Sequence, residues 1–366
     1  MKLRYKIINS IALLSVVAVL SLMFAVSRTT PCNDLALQAN ASNPMRAVIF
    51  ECYGGPEVLK LVQAEKPVIE NKEVLIKIKA ASVNPLDWHF MRGLPYILRL
   101  DAGLGEPDNT DIGVDFSGTV TAVGSEVENF KVGDNVFGGT DGAFAEYTRV
   151  KEGRSIALIP PAVSFEDAAS LPIAALTALQ GLRDVGKLTA GQRVLINGAS
   201  GGVGTFAVQI AKSMGLEVTG VCSTRNVEMV KSLGADHVFD YKKEDFVESG
   251  ELYDVVMDNV GNRTISEYRK VLKPNGILVM IGGAGGDWFG PLINIAAAKL
   301  IAPFVSQDLQ FMIAEFNRAD LDTLVGLVQS GKIKPVIDRR YSLSEVADAI
   351  GYSEAGHARG KILIIM

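Results

Sequence analysis

Cysteine and histidine are scarce in this sequence, and their positions exclude several kinds of site. The 366 residues contain three cysteines and three histidines. Cys32, Cys52 and Cys222 have no paired spacing, so we expect neither a disulfide framework nor a structural zinc site. No cysteine stands near His89, and a catalytic zinc needs three N, S or O ligands. The sequence therefore predicts chemistry without a metal.

A surplus of positive charge is also missing. The net charge is −5 and the isoelectric point is near 5.4, whereas nucleic-acid-binding proteins carry a basic face. We therefore expect no nucleic-acid partner. The sequence is 48% hydrophobic and 21% charged, which is typical of a globular protein. Its length predicts about two domains.

One long uncharged run stands at the N-terminus, over residues 7–27. A helix of that length spans about 30 Å, enough to cross a bilayer, and we predict a membrane anchor. A cleavable signal peptide is the competing interpretation, with Ala39–Ala41 as the cleavage site. A third alternative is that Met45 is the true start and the protein is cytoplasmic. Basic residues precede the run, but the side of the membrane stays open.

A glycine-rich stretch organises the second half of the chain. The apolar residues Val194–Ile196 predict a buried strand, glycines crowd the turn that follows, and apolar spacing predicts a helix over Val203–Met214. Strand, glycine turn and helix present backbone N–H groups to a pyrophosphate. Ser200 stands where a strict GxGxxG pattern has glycine. The predicted ligands of a dinucleotide here are Ser200, Gly201, Gly202, Val203 and Gly204.

The residues after the next strand select the dinucleotide. An NAD site usually carries a carboxylate there to hold the ribose hydroxyls. The strand Glu217–Cys222 is followed instead by Ser223, Thr224 and Arg225. Two hydroxyls and a guanidinium suit a 2′-phosphate, so we predict NADPH rather than NADH. The alternative is that Arg225 is a solvated residue opening the next helix.

The chain from Met45 to Met366 resembles a medium-chain dehydrogenase/reductase of the zinc-free quinone oxidoreductase type. The segments that carry the resemblance occur in the family's order: MRAVIFECYGGPEVLKL, ASVNPLDWHFMRG, GVDFSGTVTAVGSEV, KVGDNVFG, GAFAEY, LPIAALTALQGL, NGASGGVGTFAVQIAK and RGKILI. The resemblance implies an α/β fold, with a GroES-like β-barrel domain for the substrate and a Rossmann doubly wound parallel sheet for the cofactor.

We accordingly predict four parts of the chain. These are an N-terminal extension with its hydrophobic anchor or signal segment (1–44), a GroES-like substrate domain (45–165), a Rossmann NADP-binding domain (166–316) and a C-terminal return to the substrate domain (317–366). Relatives pair an edge strand between subunits, and Gln310–Ile313 is the candidate for that strand here. A homodimer is therefore a prediction.

Three residues are candidates for catalysis. The amide of Asn84 can polarise a substrate carbonyl, although an Asx-turn at the Asn-Pro bend is an equal alternative. Tyr53 is a proton donor or a wall for the substrate ring, unless it is a core tyrosine. By resemblance, Thr177 bonds the nicotinamide carboxamide, and helix packing is its alternative. For Asp87 we prefer the role of a helix cap.

Further cofactor contacts are expected at strand ends. Tyr241 follows the third strand and is placed beside the adenosine, while Asn259 and Gly282 stand at carboxyl ends of strands, where ligands bind in open α/β sheets. Lys361 is a candidate for the cofactor side, with a solvated strand residue as the alternative. By resemblance, Arg92 is near the cofactor phosphates or else on the surface.

The predicted reaction is hydride transfer from NADPH to a quinone or to the β-carbon of an α,β-unsaturated carbonyl. Without a Lewis acid, such activated acceptors are favoured over simple alcohols. Two other functions stay open. One is a non-catalytic NADPH-binding regulatory or membrane-docking protein, and the other is an NAD(P)-dependent alcohol dehydrogenase, which would contain zinc.

Overall fold

The structure, a computed structural model, describes residues 17, 20–32, 42–153, 155–283, 286–290 and 292–366. Most of the predicted anchor (7–16, 18 and 19) and the alternative cleavage site lie outside the described residues. Residues 20–27 are helical. Across the parts of the chain that the structure describes, no helix is long and apolar enough to cross a membrane.

A ribbon and a mostly antiparallel sheet build the barrel half of the molecule, to which the C-terminus adds two strands that pair in parallel. A two-stranded ribbon, β1–β2, stands beside a seven-stranded sheet in the order β14-β15-β3-β4-β5-β7, with β6 paired to β3. The first seven strands are β1 (Pro44–Ile49), β2 (Lys60–Glu65), β3 (Glu73–Val83), β4 (Asp115–Val123), β5 (Asn135–Gly139), β6 (Tyr147–Lys151) and β7 (Ile156–Leu158), and the last two are β14 (Ile337–Ser342) and β15 (Lys361–Ile365).

The long strand β3 is the centre of this barrel half. It pairs with β4, β6 and β15, so three partners fix its register. Its inward residues Val74, Ile76 and Ile78 pack with Phe116 and Val136 in one buried cluster. Burial of each such side chain contributes about 1.5–3 kcal/mol. The core of the predicted substrate domain is therefore organised on the strand that ends at the Asn-Pro bend.

The second half is a parallel sheet in the order β10-β9-β8-β11-β12-β13. That order reverses between β8 and β11, which is the switch point of a doubly wound fold. The strands are β8 (Arg193–Asn197), β9 (Glu217–Cys222), β10 (His237–Asp240), β11 (Tyr253–Asp258), β12 (Leu272–Met280) and β13 (Asp308–Phe311). The predicted edge strand is present as β13. Strands β8 and β11 are nearly continuously buried, as expected of a sheet with both faces covered.

Helices connect and cover the two sheets. The α-helices are α1 (Pro85–Arg92), α2 (Arg99–Ala102), α3 (Phe165–Ser170), α4 (Pro172–Gln180), α5 (Gly202–Ser213), α6 (Val227–Ser232), α7 (Ile265–Lys270), α8 (Gly286–Phe289), α9 (Leu292–Ile301), α10 (Arg318–Gln329) and α11 (Val346–Glu354). Short 3₁₀ turns cover Pro56–Val58, Tyr96–Leu98, Thr224–Asn226, Phe246–Glu248, Ala302–Phe304 and Leu343–Glu345, and Gly181–Val185 is a π turn after α4.

The C-terminal return joins the barrel half through two strands. Strand β15 pairs with β3 on the edge opposite β4, beyond β6, and β14 pairs with β15. Within the predicted return (317–366), Leu321, Leu324 and Val325 of α10 belong to an apolar core shared with α4 and α5. The boundary at residue 317 stays a prediction.

A disulfide joins Cys32 to Cys52, with 5.3 Å between the two Cα atoms. The sequence reasoning missed this pair, because a separation of 20 residues has no recognisable pattern. Cys222 is the free cysteine and is buried.

Candidate functional site

The glycine turn between β8 and α5 has the geometry of an anion site. Gly198 has a φ of +78°, which favours glycine. A Cβ on Gly204 would overlap the carbonyl oxygen of Gly198, so helix and turn pack too closely for any side chain there. Gly201 is the extended N-cap residue of α5. The first N–H groups of that helix have no partner within it and point at the space in front of the turn.

The strand after the turn contributes a cluster of polar groups. The side-chain amide of Asn226 donates to Ser200 Oγ at 3.0 Å and to Ser223 Oγ at 3.2 Å. Its carbonyl oxygen Oδ1 is buried without a hydrogen-bond partner in the protein. Such an orphan acceptor is costly unless a ligand or water donates to it. The structure thus brings the predicted residues Ser200 and Ser223 together and adds Asn226, which the sequence reasoning did not select.

Arg225 is exposed at the end of β9, and its Nη2 donates to the carbonyl oxygen of His357 at 2.6 Å. This bond holds the guanidinium against the C-terminal segment, and the predicted contact of Arg225 with a 2′-phosphate stays a prediction. Thr224 is exposed, and the nearby Asp240 carboxylate pairs with Lys243 at 3.4 Å.

The carboxyl ends of the neighbouring strands complete this edge. Tyr241 is 53% exposed, with Lys242 Nζ 5.2 Å from its ring centroid. Asn259 donates to the carbonyl oxygen of Asn197 at 2.9 Å, and its own Oδ1 is buried without a partner. A Cβ on Gly282 would overlap the carbonyl of Asn259. The predicted residues Tyr241, Asn259 and Gly282 thus lie along one edge of the parallel sheet.

Lys361 joins this edge to the barrel half. Gly360 N donates to Ser200 O at 3.0 Å, so the first residue of β15 lies directly against the glycine turn. Lys361 is 2% exposed, and its Cδ is 3.3 Å from where a Cβ on Gly202 would stand. The alternative of a solvated strand residue is therefore wrong. Its side chain passes beside Gly202, the first residue of α5, and its ammonium is buried.

A buried polar network surrounds the ammonium. Lys361 Nζ lies 2.5 Å from Asn84 Oδ1 and 3.5 Å from Asp115 Oδ2. Burial lowers the pKa of Lys361, and the carboxylates of Asp115 and Asp87 oppose that shift. Asp115 also accepts from Ser82 Oγ at 2.9 Å. Asp115 is a site residue that the sequence reasoning did not select; its signal was a single carboxylate inside an otherwise strand-like run.

The amide of Asn84 is fully engaged in this network. Its Nδ2 donates to Asp115 Oδ2 at 2.9 Å and to Ser82 O at 3.3 Å, while its Oδ1 accepts from Lys361. Its backbone N–H donates to Asp87 Oδ2 at 2.7 Å, so Asp87 is the third-residue partner in the cap of α1. Burial raises the pKa of Asp87 to about 7. The polarising role of Asn84 stays a prediction, but both of its amide hydrogens already have acceptors within the protein.

The other two catalytic candidates also donate within the protein. The hydroxyl of Tyr53 lies 2.8 Å from Gly103 O and 3.0 Å from Ala102 O. Thr177 Oγ1 donates to Ile173 O at 2.7 Å, one turn back in α4. Both side chains are buried. Each hydroxyl donates its hydrogen within the protein but can still accept a hydrogen bond, so the contacts of Tyr53 and Thr177 with substrate or nicotinamide stay predictions.

Arg92 and Tyr96 make further contacts on the barrel side of the site. Arg92 forms a two-pronged ion pair with Glu354, so it is tied to α11. Tyr96 contacts Trp288 with 4.9 Å between ring centroids. Trp288 follows Gly282 at the carboxyl end of β12. The Tyr96–Trp288 pair therefore bridges the two halves on the side where the cofactor edge lies. Within the described ranges, no group of three or more His, Cys, Asp or Glu side chains is arranged to hold a metal ion.

Comparisons with known proteins agree with this architecture. Residues 70–161 match the alcohol dehydrogenase GroES-like domain, and residues 233–364 match a family model described as zinc-binding dehydrogenase. The chain is 36% identical to a chloroplastic quinone-oxidoreductase homolog of Spinacia oleracea, over 88% of this chain and 99% of the relative. It is 35% identical to the chloroplastic NADPH-dependent alkenal/one oxidoreductase of Arabidopsis thaliana, over 89% of this chain and 81% of the relative.

A solved structure has a similar fold. The Escherichia coli quinone oxidoreductase complexed with NADPH superimposes with a TM-score of 0.77 and 27% identity, over 88% of this chain and 100% of that one. The chain belongs to the medium-chain dehydrogenase/reductase family, within its quinone oxidoreductase group. It is therefore an oxidoreductase.

Proposed function

We propose that this protein is an NADPH-dependent reductase that transfers hydride to a quinone or to an α,β-unsaturated carbonyl, without zinc. The observation that carries the proposal is the junction of the glycine turn with β15, where the buried side chain of Lys361 passes beside the first residue of α5. The names of the relatives, which include quinone and NADPH-dependent alkenal/one oxidoreductases, support the same reaction.

The residues present fit NADPH. The helix terminus at Gly201 and Gly202 and the cation of Lys361 suit a pyrophosphate. Exposed Arg225, next to the hydroxyl of Ser223, suits a 2′-phosphate. Two buried acceptors, Oδ1 of Asn226 and of Asn259, lack partners in the protein and can accept from ribose hydroxyls or the carboxamide. NADPH supplies the hydride; the chain binds it, orients it and shields it from water.

The source of the proton follows from what the side chains do. Asn84, Tyr53 and Thr177 all donate to acceptors inside the protein. We therefore propose that the proton comes from water that enters the site with the acceptor. The role of Asn84 and Asp115 is to hold the ammonium of Lys361 in place, since they lie 2.5 Å and 3.5 Å from it.

The donor set supports a reaction without zinc. Asp115 Oδ2 accepts from Ser82 and Asn84 and faces the ammonium of Lys361, and a metal at that place would have to displace a cation. Elemental analysis of the purified enzyme tests this directly. We expect less than about 0.1 zinc per chain after dialysis, whereas a catalytic site binds one. Stoichiometric zinc that is required for turnover would favour the alcohol dehydrogenase alternative.

A panel of acceptors separates the enzyme from the non-catalytic alternative. Stopped-flow oxidation of NADPH against simple quinones, alkenals and alkenones should show turnover with at least one class. The engagement of all three candidate donors inside the protein is what keeps the regulatory alternative open. Tight NADPH binding with no turnover on any member would favour it.

We also propose membrane attachment through residues 7–27 and a homodimer that pairs along β13. The uncharged run supports the first, and the place of β13 at the end of its sheet supports the second. The Cys32–Cys52 disulfide ties part of the N-terminal extension to the fold. Disulfides persist in oxidising compartments. Alkaline extraction of membranes and light scattering of the detergent-solubilised protein test the two proposals.

A further inference from the structure

A segment of the N-terminal extension, residues 20–32, is strapped onto the barrel half. We refer to it as the N-terminal strap. Cys32 bonds covalently to Cys52, and Thr30 N donates to Gly105 O at 2.8 Å. Val26 is buried, while most of the strap is exposed. The strap is therefore held at a few points, of which one is a bond that redox chemistry can break.

Arg99 is the main non-covalent point of attachment. It is 3% exposed. Its Nε donates to Gly93 O at 2.9 Å and its Nη2 to Arg92 O at 3.1 Å. Its Nη1 lies 3.1–3.5 Å from oxygens of the strap, which belong to Val26, Ser27, Arg28 and Thr29. The strap thus surrounds a buried cation with the carbonyls at the end of its helix, an arrangement that stabilises both.

The same guanidinium contacts two tyrosine rings. One of them belongs to the Tyr96–Trp288 pair, which we call the aromatic wall. The guanidinium carbon lies 4.2 Å from the ring centroid of Tyr53 and 4.8 Å from that of Tyr96. Tyr96 in turn contacts Trp288 across the cleft. The strap, Arg99, Tyr96 and Trp288 therefore form a continuous series of contacts from the disulfide to the edge of the sheet on which we place the cofactor.

We propose that Cys32–Cys52 is a redox modification site, reduced by a dithiol, and that its state sets how firmly the strap supports the Tyr96–Trp288 wall. Cys32 is exposed and Cys52 is 3% exposed, so an external thiolate reaches the sulfur of Cys32. That attack forms a mixed disulfide on Cys32 and releases Cys52 as a thiolate, which takes up a proton. The second thiol of the reagent then displaces Cys32. Two electrons and two protons pass from the dithiol to the protein, and the dithiol leaves as its disulfide.

Reduction leaves the strap held by its hydrogen bonds and by the burial of Val26. Loss of the covalent link lets the strap detach, and the Nη1 of Arg99 then loses its acceptors. The side chains of Tyr96 and Trp288 are then less ordered in the free protein. Ordering them when the acceptor binds costs free energy, so acceptor binding weakens more than the chemical step slows. The change in the Tyr96–Trp288 wall is a property of the chain itself, and only its effect on acceptor binding rests on the proposed function.

Thiol counting on the native full-length protein tests the site. After treatment with dithiothreitol or thioredoxin and removal of the reductant, a maleimide reagent should label Cys32 and Cys52, and the untreated protein should show no label on either. Cys222→Ser should give the same labelling, because Cys222 is buried away from the pair. A disulfide that neither dithiol reduces in the native protein would overturn the proposal.

Fluorescence of Trp288 reports on the wall without any turnover. The chain has two tryptophans, so Trp88→Phe leaves Trp288 as the single emitter. Reduction should shift its emission, and Cys32→Ser should show the shifted spectrum with or without dithiol. An unchanged spectrum in both would refute the link between strap and wall, even if the pair is reducible. Failure of the proposed reductase activity would leave this readout intact.

Kinetics give the functional consequence. With an active acceptor, reduction or Cys32→Ser should raise the KM for the acceptor by about threefold or more with a smaller change in kcat. Arg99→Lys should raise the KM while the disulfide stays intact, since lysine lacks the fork that reaches the strap and the main chain together. Equal KM values for the oxidised, reduced and Cys32→Ser proteins would contradict the proposal.

Discussion

Lys361 lies where the last strand of the barrel half meets the glycine turn. It is buried, and it faces Asn84 and Asp115 from one side and Gly202 from the other. A buried ammonium is stable only with such partners. This one side chain therefore couples the packing of the two halves to the proposed binding of pyrophosphate.

Replacing Lys361 with methionine should weaken NADPH binding at least tenfold, which is about 1.4 kcal/mol, because the cation proposed to bind the pyrophosphate is lost. The variant should also lose about 3 kcal/mol of stability, since Asp115 is left buried without its counter-charge. Calorimetry and urea unfolding measure the two effects. The double variant with Asp115→Asn should regain stability but not affinity; recovery of affinity as well would show that Lys361 has no direct role in binding.

Arg225→Asp should tilt the coenzyme preference. A carboxylate repels a 2′-phosphate and can accept from ribose hydroxyls, so we expect the KM for NADPH to rise about tenfold or more while that for NADH changes less. Steady-state kinetics with both coenzymes provide the measurement. Arg340→Asp, on the edge strand β14, is the matched control and should leave the ratio unchanged. A ratio that is also unchanged in Arg225→Asp would remove this residue from the site.

Asp87 should make stability depend on pH. Its pKa is raised to about 7 in the folded protein, from 3.8, mainly by burial. The folded state then binds the proton more tightly, so the contribution of Asp87 to stability is complete below its unfolded pKa of 3.8 and is lost as the pH rises towards 7. Urea unfolding between about pH 5 and 8 should show a smaller loss of stability for Asp87→Asn than for the wild type, because the amide does not titrate. Parallel curves would contradict this assignment.

At the scale of elements, the glycine turn shows how local sequence sets geometry. Gly204 cannot bear a Cβ, because the carbonyl of Gly198 occupies that place. Gly326, inside α10, has open space around it. The two positions are both helical glycines, but only the first is required by packing.

Gly204→Ala should therefore destabilise the protein by about 1–3 kcal/mol through overpacking and should weaken NADPH binding. Gly326→Ala should be neutral or more stable by up to about 1 kcal/mol, as expected for alanine in a helix. Thermal unfolding and NADPH titration of both variants test this pair. Equal behaviour of the two would show that the close approach at Gly204 is not needed.

Elements with local signals were predictable from sequence. The strand Glu217–Cys222 and the helix after the glycine turn appear within a residue or two of their predicted bounds, because apolar spacing and glycine chemistry act over short distances. The capping of α1 was assigned less well. Asp87 was expected to cap the helix itself, but the N-cap residue is Asn84 and Asp87 closes the cap from the third helical position.

At the scale of the whole molecule, the residues that sequence reasoning missed are those joined across long separations. Asp115 meets Lys361 from 246 residues away, and Cys32 meets Cys52 without a motif. Nothing in a local pattern encodes such a pairing, because it depends on how β15 enters the barrel sheet and where the strap runs. The predicted membrane anchor has a clear local signal in the sequence, but the structure describes only part of it.

The two halves work as one site only if the glycine turn, β9 and β15 hold the same molecule. Calorimetric titration of the purified full-length protein with NADPH and NADH is the most direct test. The account predicts one molecule of NADPH per chain, bound at least about tenfold more tightly than NADH. Binding of neither coenzyme, or tighter binding of NADH, would contradict it.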